Sequence, residues 1–173
     1  EVANYRELRL QLFEQVGDLV GQANVLNNLG ADAFYESRWE EARDFYERSR
    51  QARDAAGDLI GGATASLNIG EILSDQGHLD EAEQLLSEAL RSFRRAGYEV
   101  GIAVATSYSG RLQARRGDYG AARTMLGDAA ARFEAIGASH FVLETRAFEA
   151  ECEVLAGNVE KVLETVEPLI RAA

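Results

Sequence analysis

The sequence predicts an all-α chain of stacked helix–turn–helix units, and three observations carry that prediction. Glycines recur on a fixed step: Gly17, Gly57, Gly97 and Gly137 stand 40 residues apart, as do Gly30, Gly70 and Gly110, and Gly77, Gly117 and Gly157. Between them, apolar residues fall at three- and four-residue spacing, the period of a helix face and not of a strand. Finally, 16 glycines accompany a single proline, Pro168, which fits long helices interrupted at regular joints. A repeat of this size implies units that bury their apolar faces against their neighbours.

Taken in order, Val2, Tyr5, Arg9 and Phe13 share a register with Ala42, Phe45, Ser49 and Arg53. Residues 1–16 therefore read as the second helix of a truncated repeat. Residue 1 is Glu and not Met, so a piece of a longer chain is expected. Four units of the 40-residue type follow, at 17–56, 57–96, 97–136 and 137–173, the last degenerate. In the second of these, Leu59, Ala63, Leu67, Gly70 and Leu73 form one stripe. After the joint at Gly77-His78, Leu79, Ala82, Leu86, Ala89 and Phe93 form another. Asp18, Asp58 and Ser139 are expected to cap first helices, and Asp118 and Asn158 second helices, by accepting from free amides. The glycines at the joints suit positive φ. Those at 30, 70 and 110 lie mid-helix, where each costs about 1 kcal/mol relative to Ala, so their recurrence predicts a close approach of the partner helix. Pro168 is expected to kink or end the last helix.

Composition removes several function classes. With 29 acidic and 18 basic residues the net charge is −11, which disfavours nucleic-acid phosphates and anionic membranes alike. There is no apolar run of membrane-spanning length and no amino-terminal signal pattern. Cys152 is the only cysteine, which excludes an internal disulfide framework and a thiolate zinc cage. It falls among apolar neighbours and reads as a small buried residue. His78 and His140 stand in different repeats, without the one-turn spacing of a zinc protease. No glycine precedes Lys161 as a Walker motif requires. Carboxylates such as Glu40, Glu41, Asp80 and Glu81 recur at helix starts, where they complement the helix dipole. No catalytic constellation, metal site or cofactor site is expected.

These residues resemble the tetratricopeptide repeat, a helix–turn–helix of about 34 residues with a Leu-Gly pair and a small residue opening the second helix. The pair stands at Leu29-Gly30 and as Ile69-Gly70. The small residue is Ala42, Ala82 and Ala122, with Tyr46, Leu86 and Met125-Leu126 about one turn later. The stretch GHLDEAE at 77–83 is similar to the family turn. The period here is longer, the closing proline is absent, and the fourth repeat has Glu149-Ala150 for Leu-Gly and Val162 for the alanine. The longer unit resembles repeats of large bacterial regulators. The run NNLGADAFYESRWEEARDFYERSR, followed by NIGEILSDQGHLDEAE, is similar to the carboxy-terminal region of actinobacterial multidomain proteins that carry adenylate/guanylate cyclase or AAA/STAND ATPase domains.

The resemblance implies a single domain over 1–173, a right-handed superhelix of about nine helices. It further implies a non-catalytic, cytoplasmic module that binds a protein or peptide on a concave face lined by first helices. That face would present Asn24, Asn27, Asn28, Ala31, Phe34 and Tyr35, then Thr64, Leu67, Asn68, Glu71, Ser74 and Asp75, then Val104, Ser107, Tyr108, Arg111, Ala114 and Arg115. The candidate ligand contacts are Asn24, Asn27, Asn28, Tyr35, Asn68, Glu71, Tyr108, Arg111 and Arg115. Amides and arginines there suit a peptide backbone and a carboxylate. Asn68 and Arg111 match the carboxylate clamp of chaperone-tail-binding members, whereas Asn27, Ala31 and Ser107 depart from it. On the register alone, Arg111 could equally pair with Glu71 and Glu151, and Arg115 with Asp75. Self-association through exposed solenoid ends, or docking onto other domains of a parent chain, are the alternative roles.

Overall fold

The computed structural model describes residues 2–158 and 160–162, with side chains from Tyr5 onward. Eight helices follow in order: α1 (Val2–Val16), α2 (Leu19–Tyr35), α3 (Trp39–Ala55), α4 (Leu59–Asp75), α5 (Leu79–Ala96), α6 (Glu99–Arg115), α7 (Tyr119–Ala135) and α8 (Ser139–Leu155). No strand occurs among the described residues. The expected ninth helix falls largely outside them, and so does Pro168.

The joints take the shape that their residues allow. Seven glycines, at 17, 57, 77, 97, 117, 137 and 157, adopt φ between 64° and 85°. At the matching place between α2 and α3 stands Ser37, which holds φ at 59° with a side chain attached. Asp18, Asp58 and Asp118 cap α2, α4 and α7 by accepting from Gly21, Gly61 and Ala121 amides at 2.9, 2.9 and 3.0 Å. The expected Ser139 cap is corrected: Ala138 occupies the N-cap of α8 without a side-chain bond, and Ser139 is already helical. The chain leaves its turn one residue earlier than the serine. Asn158 directs its amide back to Glu153 Oε2 at 2.8 Å.

Two compact units make up the chain, residues 1–92 and 93–173. In the first, Leu10, Val25, Leu26 and Leu29 form a buried cluster backed by Phe13 and Phe45. Ala42 and Ala82 have no exposed surface. A Cβ added at Gly30 would lie 2.7 Å from the Tyr46 ring, and one at Gly70 would lie 3.1 Å from a Leu86 methyl. The mid-helix glycines thus accept a helix-propensity loss so that the second helix can seat its large residue against the first. Ser49 Oγ donates to the Ala23 carbonyl at 2.9 Å, which satisfies a hydroxyl buried between α2 and α3.

In the second unit, Ala114, Ala122, Leu126, Phe148 and Cys152 pack together, with Tyr108 and Tyr119 against them. Phe133 stacks on Phe141, ring centroids 5.0 Å apart, beside Ala103 and Ala129. A Cβ at Gly110 would meet Leu126 Cγ at 2.9 Å and the Leu126 backbone nitrogen at 3.2 Å.

Candidate functional site

In the first unit the exposed side of α2 and α4 is a row of amides. Asn68 Nδ2 donates to Asn27 Oδ1 at 3.2 Å across the two helices, between residues 41 apart in sequence. One donor and one acceptor are used in that bond. The remaining N–H groups of Asn27 and the Asn68 carbonyl oxygen retain the pattern of a peptide group. Asn24 is exposed, and its Oδ1 accepts from Arg53 Nη2. Arg53 stands where Phe13, Phe93 and Phe133 occupy the other repeats. Its stem lies under Gly61 as those rings would, and its head reaches Asp58 Oδ2 at 2.5 Å. The Gly61 amide and Arg53 hold the Asp58 carboxyl below its usual range.

Asn28 is exposed and its backbone carbonyl accepts from Arg6 Nη1 at 3.5 Å, while Arg6 also pairs with Asp32. Tyr35 at the end of α2 is 85% exposed. Behind it, Phe34 packs edge-on against Trp39 at 5.1 Å. Glu71 is half-buried, and its charge, after burial, helps push the Tyr46 phenol upward.

The α6 and α8 face of the second unit carries charge in place of amides. Glu151 accepts from Arg111 Nε at 2.7 Å through one oxygen and from Arg115 Nε and Nη2 at 3.2 Å through the other. The Arg111 guanidinium lies over the Phe148 ring, 4.6 Å from its centroid, a cation–π contact. Tyr108 meets the same ring edge-on at 5.9 Å. Glu144 lies nearby with its pKa raised: burial pushes it up, and His140, Arg111 and a hydrogen bond with Tyr108 oppose the rise.

Four members of the expected face are not presented. Leu67, Ser74, Ser107 and Ala114 are buried, and Ser107 Oγ lies 3.1 Å from Thr145 Oγ1. A helix face broad enough to pack on its neighbours takes in residues at the edge of the polar stripe. Glu144, Phe148 and Arg53 were not singled out from the sequence. Phe148 had a signal, because it is one 40-residue step beyond Tyr108.

Among the described residues no cluster of three or more His, Cys, Asp or Glu is placed to hold a metal. None of the described helices is long and apolar enough to cross a membrane. Cys152 is buried, and burial pushes its thiol pKa up, the opposite of an activated nucleophile.

The geometry is that of an α-helical repeat protein whose paired helices expose one polar face. The tetratricopeptide repeat family matches at residues 21–95 and 62–135, and the chain belongs to it. No curated protein sequence matches. Among solved structures, a Rap protein complexed with Competence and Sporulation Factor is similar at a TM-score of 0.81 and 20% identity, covering 93% of this chain and 45% of that one. BtubC from P. vanneervenii is similar at 0.68 and 21%, covering 89% and 64%. The apo form of RapI is similar at 0.70 and 13%, covering 97% and 71%. This chain thus spans less than two thirds of the first two, and at these identities the likeness concerns the fold.

Proposed function

We propose that this chain is a non-catalytic interaction module that holds an extended peptide or protein segment against its first helices. The observation that carries this reading is the Asn27–Asn68 amide pair. It presents a peptide-like donor and acceptor side by side on adjacent helices, and the exposed ring of Tyr35 stands about two turns further along α2. Side-chain amides bind a backbone without regard to its side chains, while aromatic and charged neighbours supply selectivity. In the second unit, Arg111 and Arg115 share one carboxylate, so a ligand carboxylate there would compete with Glu151. The complex of the structurally similar Rap protein with Competence and Sporulation Factor supports a scaffold that holds a partner. The module is read as one cytoplasmic repeat domain of a larger bacterial signalling protein, a cyclase or ATPase regulator, and other domains of that parent are candidate partners.

Peptides selected from a random twelve-residue phage library on the wild-type chain test the reading. Asn27→Ala with Asn68→Ala is expected to weaken the selected peptides at least tenfold, and Arg111→Ala to weaken the acidic ones. Unchanged affinity in both variants would overturn it.

Self-association is a second reading, and one observation favours it. Tyr5, Leu8, Leu12 and Val16 form a stripe along α1, 72%, 50%, 52% and 75% exposed. At the register of Leu8 the other second helices carry Arg48, Glu88 and Asp128. Light scattering across concentration checks it: Leu8→Glu with Leu12→Glu should remove any dimer that the wild type forms.

A further inference from the structure

The register isolates one arginine that packing does not explain. Position 50 of α3 corresponds to Leu10, Leu90 and Ala130 in the other second helices, and Leu10 and Ala130 are buried. Arg50 therefore occupies a place that the repeat gives to an apolar side chain. It is half-buried and borders a groove of about 240 Å³ lined mainly by polar side chains, with Leu85 of α5 and the almost fully buried Ile69 and Leu73 of α4 as its apolar part.

Of the other charges around the groove, Arg43 and Glu47 are already in ion pairs. Arg43 pairs with Glu40 at 3.0 Å and with Glu47 at 3.8 Å. Glu81 lies 3.7 Å from His78 Nδ1. Arg50 makes no side-chain hydrogen bond or ion pair with any described residue. A guanidinium that is partly desolvated over aliphatic surface is placed for a charge-assisted, two-pronged bond to a carboxylate. The volume is below that of a site for a drug-sized ligand and suits one or two side chains of a polypeptide.

We propose that this groove is a second binding site, separate from the amide row, for a protein segment bearing a carboxylate next to a leucine-like side chain. The carboxylate meets Arg50, and the apolar side chain settles on Ile69, Leu73 and Leu85. The inference goes beyond the first-helix reading and does not depend on it. With a chain net charge of −11 there is no long-range attraction for an anion, so recognition rests on contact in the groove.

Two small acids serve as probes, N-acetylleucine for a chain terminus and Ac-Leu-Glu-NH2 for an acidic side chain, with N-acetylleucinamide as the neutral comparison. NMR of the full chain follows the Arg50 Nε–H resonance and the Leu73 and Leu85 methyls. At least one acid is expected to shift all three saturably, the amide to leave them in place, and the responding acid tells which source of carboxylate the groove takes. Arg50→Leu restores the residue of the sister repeats, so its melting temperature should hold or rise while affinity falls at least tenfold. Arg50→Lys should weaken binding by an intermediate amount. The proposal is overturned if neither acid shifts these resonances, if the amide acts as the acids do, or if Arg50→Leu binds like the wild type.

Discussion

In the first unit the α2 and α4 face offers amides and an exposed phenol, whereas in the second unit α6 and α8 hold two guanidinium groups on one carboxylate. Beneath both faces the packing follows one pattern, with a fully buried alanine opening the second helix and a glycine opposite its large residue. The positions that join the helices are constrained by sterics and recur. Exposed positions carry no such constraint, so ligand chemistry can change from unit to unit without disturbing the fold.

The largest break in that pattern should come from the shared packing positions. Ala82→Leu is expected to destabilise by about 1 to 3 kcal/mol through overpacking, measured by urea denaturation. A neutral effect would contradict the register.

Next in size is a polar contact confined to the second unit. Arg123 grips Glu153 with bonds at 2.6 and 2.9 Å and Asn158 adds another, and with Arg123 the principal cause the Glu153 pKa is lowered to about 2. Because the folded pKa lies below the unfolded one, the stabilisation is present above about pH 4.5 and is lost as pH falls through about 2. A tenfold change in proton affinity corresponds to about 1.4 kcal/mol; because Arg123 is open to screening solvent, only a modest part of the shift's worth, no more than about 1 kcal/mol, is expected to survive at neutral pH. Glu153→Gln should remove that amount and flatten the acid limb of a stability–pH curve. An unaltered acid limb would show that the pair contributes nothing.

A smaller effect sharpens the comparison, because its sign should differ between the units. Replacing a mid-helix Gly by Ala gains about 1 kcal/mol of helix propensity. At Gly70 the new methyl meets Leu86 Cδ2 and Cγ at 3.1 and 3.2 Å and the Ala82 carbonyl oxygen at an ordinary 3.5 Å, and a small shift of the leucine side chain relieves the tight pair, so the net change should be near zero or favourable. At Gly110 it meets Leu126 Cγ at 2.9 Å and that residue's backbone nitrogen at 3.2 Å, so Gly110→Ala should destabilise. Thermal melts of the two variants decide it. Ser37→Gly relieves a side chain from φ 59° and should stabilise by about 0.5 to 1 kcal/mol.

How much of this was legible follows from what repeats. Gly30, Gly70 and Gly110 announced close helix approach from their spacing alone, and the aspartate caps followed from residues beside the turns. Features that occur once had no such signal. The serine at 37 replaces a glycine without a visible reason, and Arg53 replaces a phenylalanine while keeping its packing role through its aliphatic stem. The face residues were legible as a stripe but not in width, so Leu67, Ser74, Ser107 and Ala114 were placed on it although they are buried. The register allowed Arg111 and Arg115 several acidic partners, and only side-chain geometry shows both on Glu151.

The most direct test of the binding face is the NMR response of the Asn27 and Asn68 side-chain amides when a library-selected peptide is added to the wild-type chain. Shifts of both NH2 groups that saturate with the binding isotherm are the expected result. Tight binding that leaves both resonances unmoved would place the ligand elsewhere and contradict the reading of the amide row as the binding face.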